Sequence, residues 1–582
     1  MNRLFNTHET RKTYDLNGNW LFKIDKDNVG EAEGWQNGLT DAETVIVPSN
    51  WNNELKLLNY EGSAWYEKKL NTKGGTIRLE FGSVMTKADV WLDGKWIGEH
   101  YGAFTQFEFL INGVECGEHT LVVRADSTFY AQSFPQRYTD WFNYGGIARD
   151  VSFDELDGIC ILNNHLVYTL SDDLKNVSVS AKLELYNAND GTASSPVSVF
   201  VGETEIYNEA VTLGGYETKV MVTPEMTLKD IELWDTNSPK LYTVTAKTET
   251  DDLIDKVGFR KIEVKDNNIL LNGRSIELLG VNRHEEHPDW GFAFPAKLMK
   301  KDIDLILEMN CNTIRGSHYP QAQIFIDMLD EKGILFWSEI PMWGCGFAWE
   351  LFTDPVIVER GLNMHKEMVK YYYNHPSIII WGMHNEIDSA KETAVGLTKL
   401  FHDYLKEFGG NRLITHASHH PLDDLCMDFD DIVCINLYHG WYEYGGYPKT
   451  MKAWETLVEQ LRERLSSQGW SDKPVIMSEF GAAALAGYHS HFDQVRWSEE
   501  YQRDLLDYTL NLFHNTDFMR GTYIWQFCNI RTSPEMNINR ARYFNNKGIL
   551  DEYRNPKAAF FKVKELYHKY NEENKKNGKT QN

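Results

Sequence analysis

The feature that most constrains this chain is a change of grammar at Asn272-Gly273, after which short apolar runs alternate with segments of helical period. Eight runs can be read as strands, at 276–281, 313–315, 334–337, 378–381, 413–416, 432–436, 475–478 and 522–525. Between the fourth and fifth, Leu397, Leu400, Phe401, Tyr404, Leu405 and Phe408 follow the i, i+3, i+4, i+7 spacing of an amphipathic helix. Eight strands separated by helices predict a (β/α)8 TIM barrel over 265–570. A doubly wound open sheet would alternate too, but no G-x-G-x-x-G follows the first strand.

Upstream the pattern is β throughout. Thr76-Ile77-Arg78-Leu79-Glu80-Phe81 and Ala88-Asp89-Val90-Trp91-Leu92 are strand-like, and Asn17-Gly18 and Asp93-Gly94 supply the residues that tight hairpins require. A second β module begins near Gly158, where Val177, Val179, Ala181, Leu183 and Leu185 alternate with Ser178, Ser180, Lys182 and Glu184. The expected divisions are therefore 1–157, 158–264 and 265–570, with a Lys/Asn/Glu-rich tail at 571–582 that has no apolar face and is expected to be disordered.

A net charge of -26 argues against binding to nucleic acid or an anionic membrane surface, both of which need a basic face. Any anionic substrate must therefore meet a local cation. The seven cysteines form no C-x-x-C pair, which fits free thiols in a reducing compartment. No apolar stretch approaches the ~18 residues of a membrane span, and the first residues lack the apolar run of a signal peptide, so a cytoplasmic location is expected.

In a barrel of this kind, chemistry is done at the C-terminal ends of the strands. The fourth strand runs Ile378-Ile379-Ile380-Trp381-Gly382-Met383-His384-Asn385-Glu386, and the seventh runs Val475-Ile476-Met477-Ser478-Glu479-Phe480-Gly481. Each ends in a carboxylate aimed at the same mouth. Two carboxylates in one cavity can divide the acid and nucleophile roles of a glycosidase if their surroundings separate their pKa values. Alone, a strand-end carboxylate is as readily a helix-start or barrel-mouth ion pair, and Glu339 at the end of the third strand competes for a catalytic role. His284-Glu285-Glu286-His287 matches neither H-E-x-x-H nor H-x-x-E-H and has no evident third ligand, so neither a metal nor another cofactor is expected.

With these residues in view, the chain resembles glycoside hydrolase family 2 over nearly its whole length. Val90-Trp91-Leu92-Asp93-Gly94-Lys95-Trp96-Ile97-Gly98-Glu99-His100 resembles that family's N-terminal jelly-roll sandwich. Trp234 with Ser238-Pro239-Lys240-Leu241-Tyr242 resembles the end of its immunoglobulin-like sandwich. The barrel carries Gly280-Val281-Asn282-Arg283-His284, Arg315-Gly316-Ser317-His318-Tyr319-Pro320, Asn385-Glu386 and Ser478-Glu479-Phe480-Gly481. The resemblance implies a retaining glycosidase in which Glu386 is the acid/base, Glu479 the nucleophile and Asn385 a ligand for the sugar 2-hydroxyl.

Within the family, Asn545-Asn546-Lys547 resembles the Asn-x-Lys element of β-glucuronidases, in which both side chains engage the sugar carboxylate. A carboxylate moved from water into a dry pocket needs such charge-assisted partners. The stretches 140–146, 436–442 and 486–490 point the same way. By this similarity Asp140 reaches into the sugar pocket from the jelly roll, Asn436 and Tyr442 line it beside Glu479, Tyr438 flanks the nucleophile and Trp525 forms the floor; His284 and His318, in place of holding a metal, are expected to bind sugar hydroxyls or order the groups that do. The implied substrates are terminal β-D-glucuronides, as conjugates or glucuronate-ended glycans. β-Galacturonides and β-galactosides are the alternatives within the family, and a non-catalytic carbohydrate-binding protein is the alternative outside it. Two departures from the family pattern remain. The spacing from Trp525 to Asn545 leaves open whether Arg540 or Arg542 assists at the carboxylate, and the short 341–355 segment predicts an open aglycone side. The two β modules offer surfaces for homo-oligomer formation.

Overall fold

The computed structural model describes residues 3–344, 349–443, 446–491 and 494–576. The first module packs a four-stranded sheet against a six-stranded one around Trp20, Tyr66, Leu79, Phe81, Val90 and Val123. Asp93-Gly94, both at positive φ (51° and 74°), closes the hairpin between Lys87–Leu92 and Lys95–Tyr101. Asn17-Gly18 does not make the expected hairpin. Lys12–Asp15 pairs with Val151–Leu156 in one sheet, whereas Gly18–Asp25 pairs with Glu43–Val47 in the other, so this turn carries the chain between sheets. The second module packs two four-stranded sheets. Its strand Val177–Asn187 places Val177, Val179, Ala181, Leu183 and Leu185 at 0% exposure, which is the outcome of their period-two alternation.

The barrel is closed by eight parallel strands: β1 (Leu278–Arg283), β2 (Thr313–Gly316), β3 (Leu335–Glu339), β4 (Ile378–Asn385), β5 (Leu413–Ser418), β6 (Val433–Asn436), β7 (Val475–Glu479) and β8 (Met519–Ile524). All eight residues of β4 are buried, because side chains of a barrel strand face either the filled interior or the helix layer. Gly382 lets β4 pass this tightly, since a Cβ there would sit 2.4 Å from Trp337 Nε1 and 2.6 Å from Glu339 Cβ.

Three readings need correction. The first expected strand, 276–281, is two elements: residues 274–276 close a three-stranded sheet that plugs the barrel floor, and β1 starts at Leu278. Asn272 and Gly273, both at positive φ, make the hairpin that directs the chain into this plug. After β5 the described chain has one short helical turn, Met427–Phe429, in place of an α-helix; Asp424 and Asp430 tie this connection to His416. Finally, residues 571–576 are not disordered but end a helix, Ala558–Lys576. An apolar face is dispensable there because amide side chains dock the turn: Asn574 Nδ2 donates to Glu277 Oε2 at 2.8 Å and Asn571 Nδ2 to the Asn310 carbonyl at 3.0 Å. Residues 577–582 lie outside the described residues.

Candidate active site

The C-terminal strand ends converge on one guanidinium. Arg315, near the end of β2, donates through Nε and Nη2 to both oxygens of Glu339 (3.0 and 2.8 Å), through Nη1 to Glu479 Oε1 (2.8 Å) and Asn282 Oδ1 (3.0 Å), and through Nη2 to Asn385 Oδ1 (2.6 Å). It is fully buried over the Trp337 ring. A charge removed from water survives only when its donors are used in this way.

Glu386 follows β4 at φ 50°, a left-handed conformation that costs a non-glycine residue roughly 1 kcal/mol and re-aims its side chain. Its N–H donates to the Ala417 carbonyl on β5 at 2.8 Å. Asn436 Nδ2 donates to Glu386 Oε1 at 2.8 Å, and Asn436 Oδ1 accepts from Ser478 Oγ at 2.7 Å. One amide thus links the ends of β4, β6 and β7. Tyr438 donates its hydroxyl to Glu479 Oε2 at 2.7 Å. Asn385 Nδ2 is buried beside these groups without a partner among the described residues, a donor suited to a sugar hydroxyl.

The far wall is cationic. Lys547 is 1% exposed, its ammonium donates to the Tyr442 hydroxyl at 2.8 Å, and it lies over the rings of Tyr438, Trp441 and Tyr442. Among the described residues it forms no ion pair. Arg540 chelates both oxygens of Asp140 (2.9 and 2.6 Å) and contacts the Tyr442 hydroxyl at 3.3 Å, and Asn545 Nδ2 donates to Asp140 Oδ2 at 2.8 Å. Asp140 arrives on the segment between Gly117–Asp126 and Gly146–Ile147, which the Phe142 N–H binds to the Arg531 carbonyl of the barrel at 2.9 Å.

These surroundings separate the acids. Burial pushes the Glu479 carboxyl up, the charge of Glu386 adds to the rise, and Arg315, His318 and Tyr438 oppose it incompletely, leaving the group at about 7. Burial acts on Glu339 in the same direction, but Arg315 and His318 outweigh it and hold that carboxyl below its ordinary value. Burial, helped by Arg540, lowers the Lys547 ammonium to about 7 against the pull of Asp140, Glu479 and Glu386. Burial and the repulsion of its cationic neighbours keep His284 neutral.

Asp140, Glu386, Asn436, Tyr438, Tyr442, Glu479, Trp525 and Arg540 line a cavity of about 1080 Å³. His318 stands behind it, stacked on Trp525 and bonded to Glu339 Oε1 at 2.7 Å, while Asn385, Asn545 and Lys547 are its buried supports. Of the two candidate arginines, Arg540 stands on the cavity wall, whereas Arg542 turns outward to Glu552 at 2.8 Å. The residues of His284-Glu285-Glu286-His287 diverge: His284 packs on Trp141 and Trp525, Glu285 pairs with Arg149, Glu286 accepts from Tyr144, and His287 packs on Tyr553. Sequence reasoning gave no role to Arg315, although its place at a strand end was a usable signal. It also missed Trp343, His419, Arg496 and Trp497 on the cavity wall, which sit on loops whose paths no periodicity reveals. Residues 345–348 of the 341–355 segment, on which the expected open aglycone side rests, lie outside the described residues.

The chain matches three family models: the sugar binding domain of glycosyl hydrolases family 2 at 13–156, the glycosyl hydrolases family 2 domain at 161–260, and that family's TIM barrel domain at 262–572. It is similar to a family 2 β-galacturonidase from Eisenbergiella tayi bound to galacturonate, at 34% identity, TM-score 0.90 and coverage of 98% of this chain and 99% of that one. It is also similar to the β-glucuronidase of Ruminococcus gnavus (25% identity, TM-score 0.85, 97% and 99% covered) and to that of Paenibacillus borealis (29% identity over 602 residues, 94% and 96% covered). A barrel mouth that gathers two strand-end glutamates, joined to the two β modules these models describe in the same order, places the chain in glycoside hydrolase family 2.

Proposed function

We propose that this protein is a retaining, exo-acting β-uronidase that hydrolyses terminal β-D-glucuronides. Glu479 attacks the anomeric carbon while Glu386 gives its proton to the departing glycosidic oxygen; Glu386 then takes a proton from water, which displaces Glu479 from the sugar. Asn385 meets the 2-hydroxyl, and Tyr438 steadies the nucleophile. The bonds among Asp140, Arg540 and Asn545 brace one side of the cavity, which supports a chain end over an internal sugar. The cavity is at the upper end of small-ligand pockets, ~1,000 Å³, leaving room for a sizeable aglycone.

The observation that carries this reading is the buried ammonium of Lys547, held by a neutral hydroxyl and three rings with no ion pair among the described residues. A neutral sugar would leave that cation uncompensated, whereas a uronate carboxylate supplies the missing anion. The galacturonide reading has its own support in the galacturonate-bound relative, because glucuronate and galacturonate carry the same carboxylate and differ only at C4. Aryl β-D-glucuronide, galacturonide, galactoside and glucoside should be assayed with the wild type and with Lys547→Met. A uronide should be the best wild-type substrate and should lose most in the variant; a galactoside or glucoside as the best substrate overturns the reading, and the ratio of the two uronides decides between the epimers.

A further inference from the structure

Behind the uronate wall lies a second buried lysine that has no role in the chemistry described so far. Lys557, 1% exposed just before the helix Ala558–Lys576, points its ammonium into a cage of four neutral oxygens: the carbonyls of Ala484 (2.8 Å), Asn546 (3.1 Å) and Gly548 (2.7 Å), and Asn529 Oδ1 (2.9 Å). Among the described residues it forms no ion pair; Glu499 and Glu552 act on it only from farther away. Two cage oxygens flank Lys547 in sequence, and a third, on Ala484, belongs to the loop that follows β7. Gln502 Nε2 reinforces the same stretch by donating to the carbonyls of Lys547 and Gly548, each at 3.1 Å, and to that of Ala482 at 2.8 Å.

A cation buried without a counter-charge is costly, and the structure offers one compensation: the ammonium gathers carbonyl dipoles that would otherwise repel one another. The gathered segment is 545–548, from which Asn545 binds Asp140 and Lys547 binds Tyr442 on the cavity wall. We infer that Lys557 is a positioning residue for acidic-sugar recognition, an internal cation that folds the uronate-reading loop around itself and fixes where the Lys547 ammonium stands. This inference rests on the proposed uronidase function. It assigns Lys557 no contact with substrate.

The test is Lys557→Ala, with Lys547→Met alongside, each compared with the wild type by melting temperature, by kcat and KM on an aryl β-D-uronide, and by the inhibition constant of the free uronic acid. Methylammonium and propylammonium chloride are then added, with sodium chloride as the ionic-strength control. The expected result for Lys557→Ala is a folded protein whose KM and uronic acid inhibition constant rise tenfold or more while kcat changes less than threefold, and whose affinity is partly restored by an alkylammonium ion filling the cage. A loss confined to melting temperature, or a fall in kcat at unchanged uronic acid affinity, overturns the inference. If Lys547→Met also leaves uronic acid affinity unchanged, the uronidase reading fails; if it weakens affinity while Lys557→Ala does not, only the role of Lys557 fails. Should the alanine variant not fold, Lys557→Met, which keeps the aliphatic stem, carries the same comparison.

Discussion

Arg315 grips Glu339 with two nitrogens, at 3.0 and 2.8 Å, but reaches Glu479 with only one, at 2.8 Å. One guanidinium therefore treats two buried carboxylates unequally. Glu339 is held below the ordinary carboxylate value, while Glu479, raised by burial and further by the charge of Glu386, titrates at about 7.

That asymmetry orders the glutamine variants. Glu479→Gln removes the proposed nucleophile and should lower kcat on an aryl uronide by about 10⁴-fold or more, whereas Glu339→Gln only loosens Arg315 and should cost at most about 10²-fold. Glu386→Gln should lose far more on an alkyl uronide than on an activated aryl one, because only the poor leaving group needs the proton. Equal losses across leaving groups would remove Glu386 from the acid role.

The pH profile follows from two groups near 7. Glu479 must be ionised to attack, so kcat/KM should rise with pH until about 7; Lys547 must be charged to hold a carboxylate, so it should fall above about 7. The result is a narrow bell. Bound uronate favours the charged lysine, so the alkaline limb of kcat should lie higher than that of kcat/KM. A kcat/KM profile flat from pH 5 to 9 would refute both assignments.

The same shift has a stability consequence of fixed sign. Folding raises the Glu479 carboxyl from 4.5 to about 7, so the native state binds the extra proton, and stability present below pH 4.5 is lost as pH rises through 7. At ~1.4 kcal/mol per pKa unit, the penalty above pH 7 is on the order of 1–3 kcal/mol. Glu479→Gln should therefore melt higher than wild type at pH 8 and nearly with it at pH 4.5, as differential scanning calorimetry can read; a variant less stable at pH 8 would show that the carboxylate is not strained.

Asp140 holds Arg540 with both carboxylate oxygens, at 2.9 and 2.6 Å. Asp140→Ala removes the carboxylate that Arg540 and Asn545 both bind, and breaking such a buried pair costs about 3–5 kcal/mol locally. KM for a uronide should rise at least tenfold, with both β modules still folded by circular dichroism. Unchanged KM would mean that Asp140 does not shape the sugar pocket.

The barrel and the glutamate pair were legible because both depend on local rules: eight apolar runs of strand length, and polar residues at their C-terminal ends. The hydroxyl and amide links, from Tyr438 to Glu479 and from Asn436 to Glu386, involve residues 41 and 50 positions apart, which only family resemblance could bring together. Choosing between Arg540 and Arg542 depended on a left-handed kink at Arg542 and Tyr543, with φ of 60° and 64°, that sends one side chain out and leaves the other inside; no spacing encodes it. The tail at 571–576 misled for the opposite reason, since its helix docks through amides and an apolar-face criterion cannot see them.

Because Asp140 belongs to the first β module, the barrel by itself does not complete the cavity. Excising it, or grafting it beneath another family member's N-terminal half, would remove Asp140 from the cavity wall, so the shape of this crevice is a property of the whole chain and not of a detachable part.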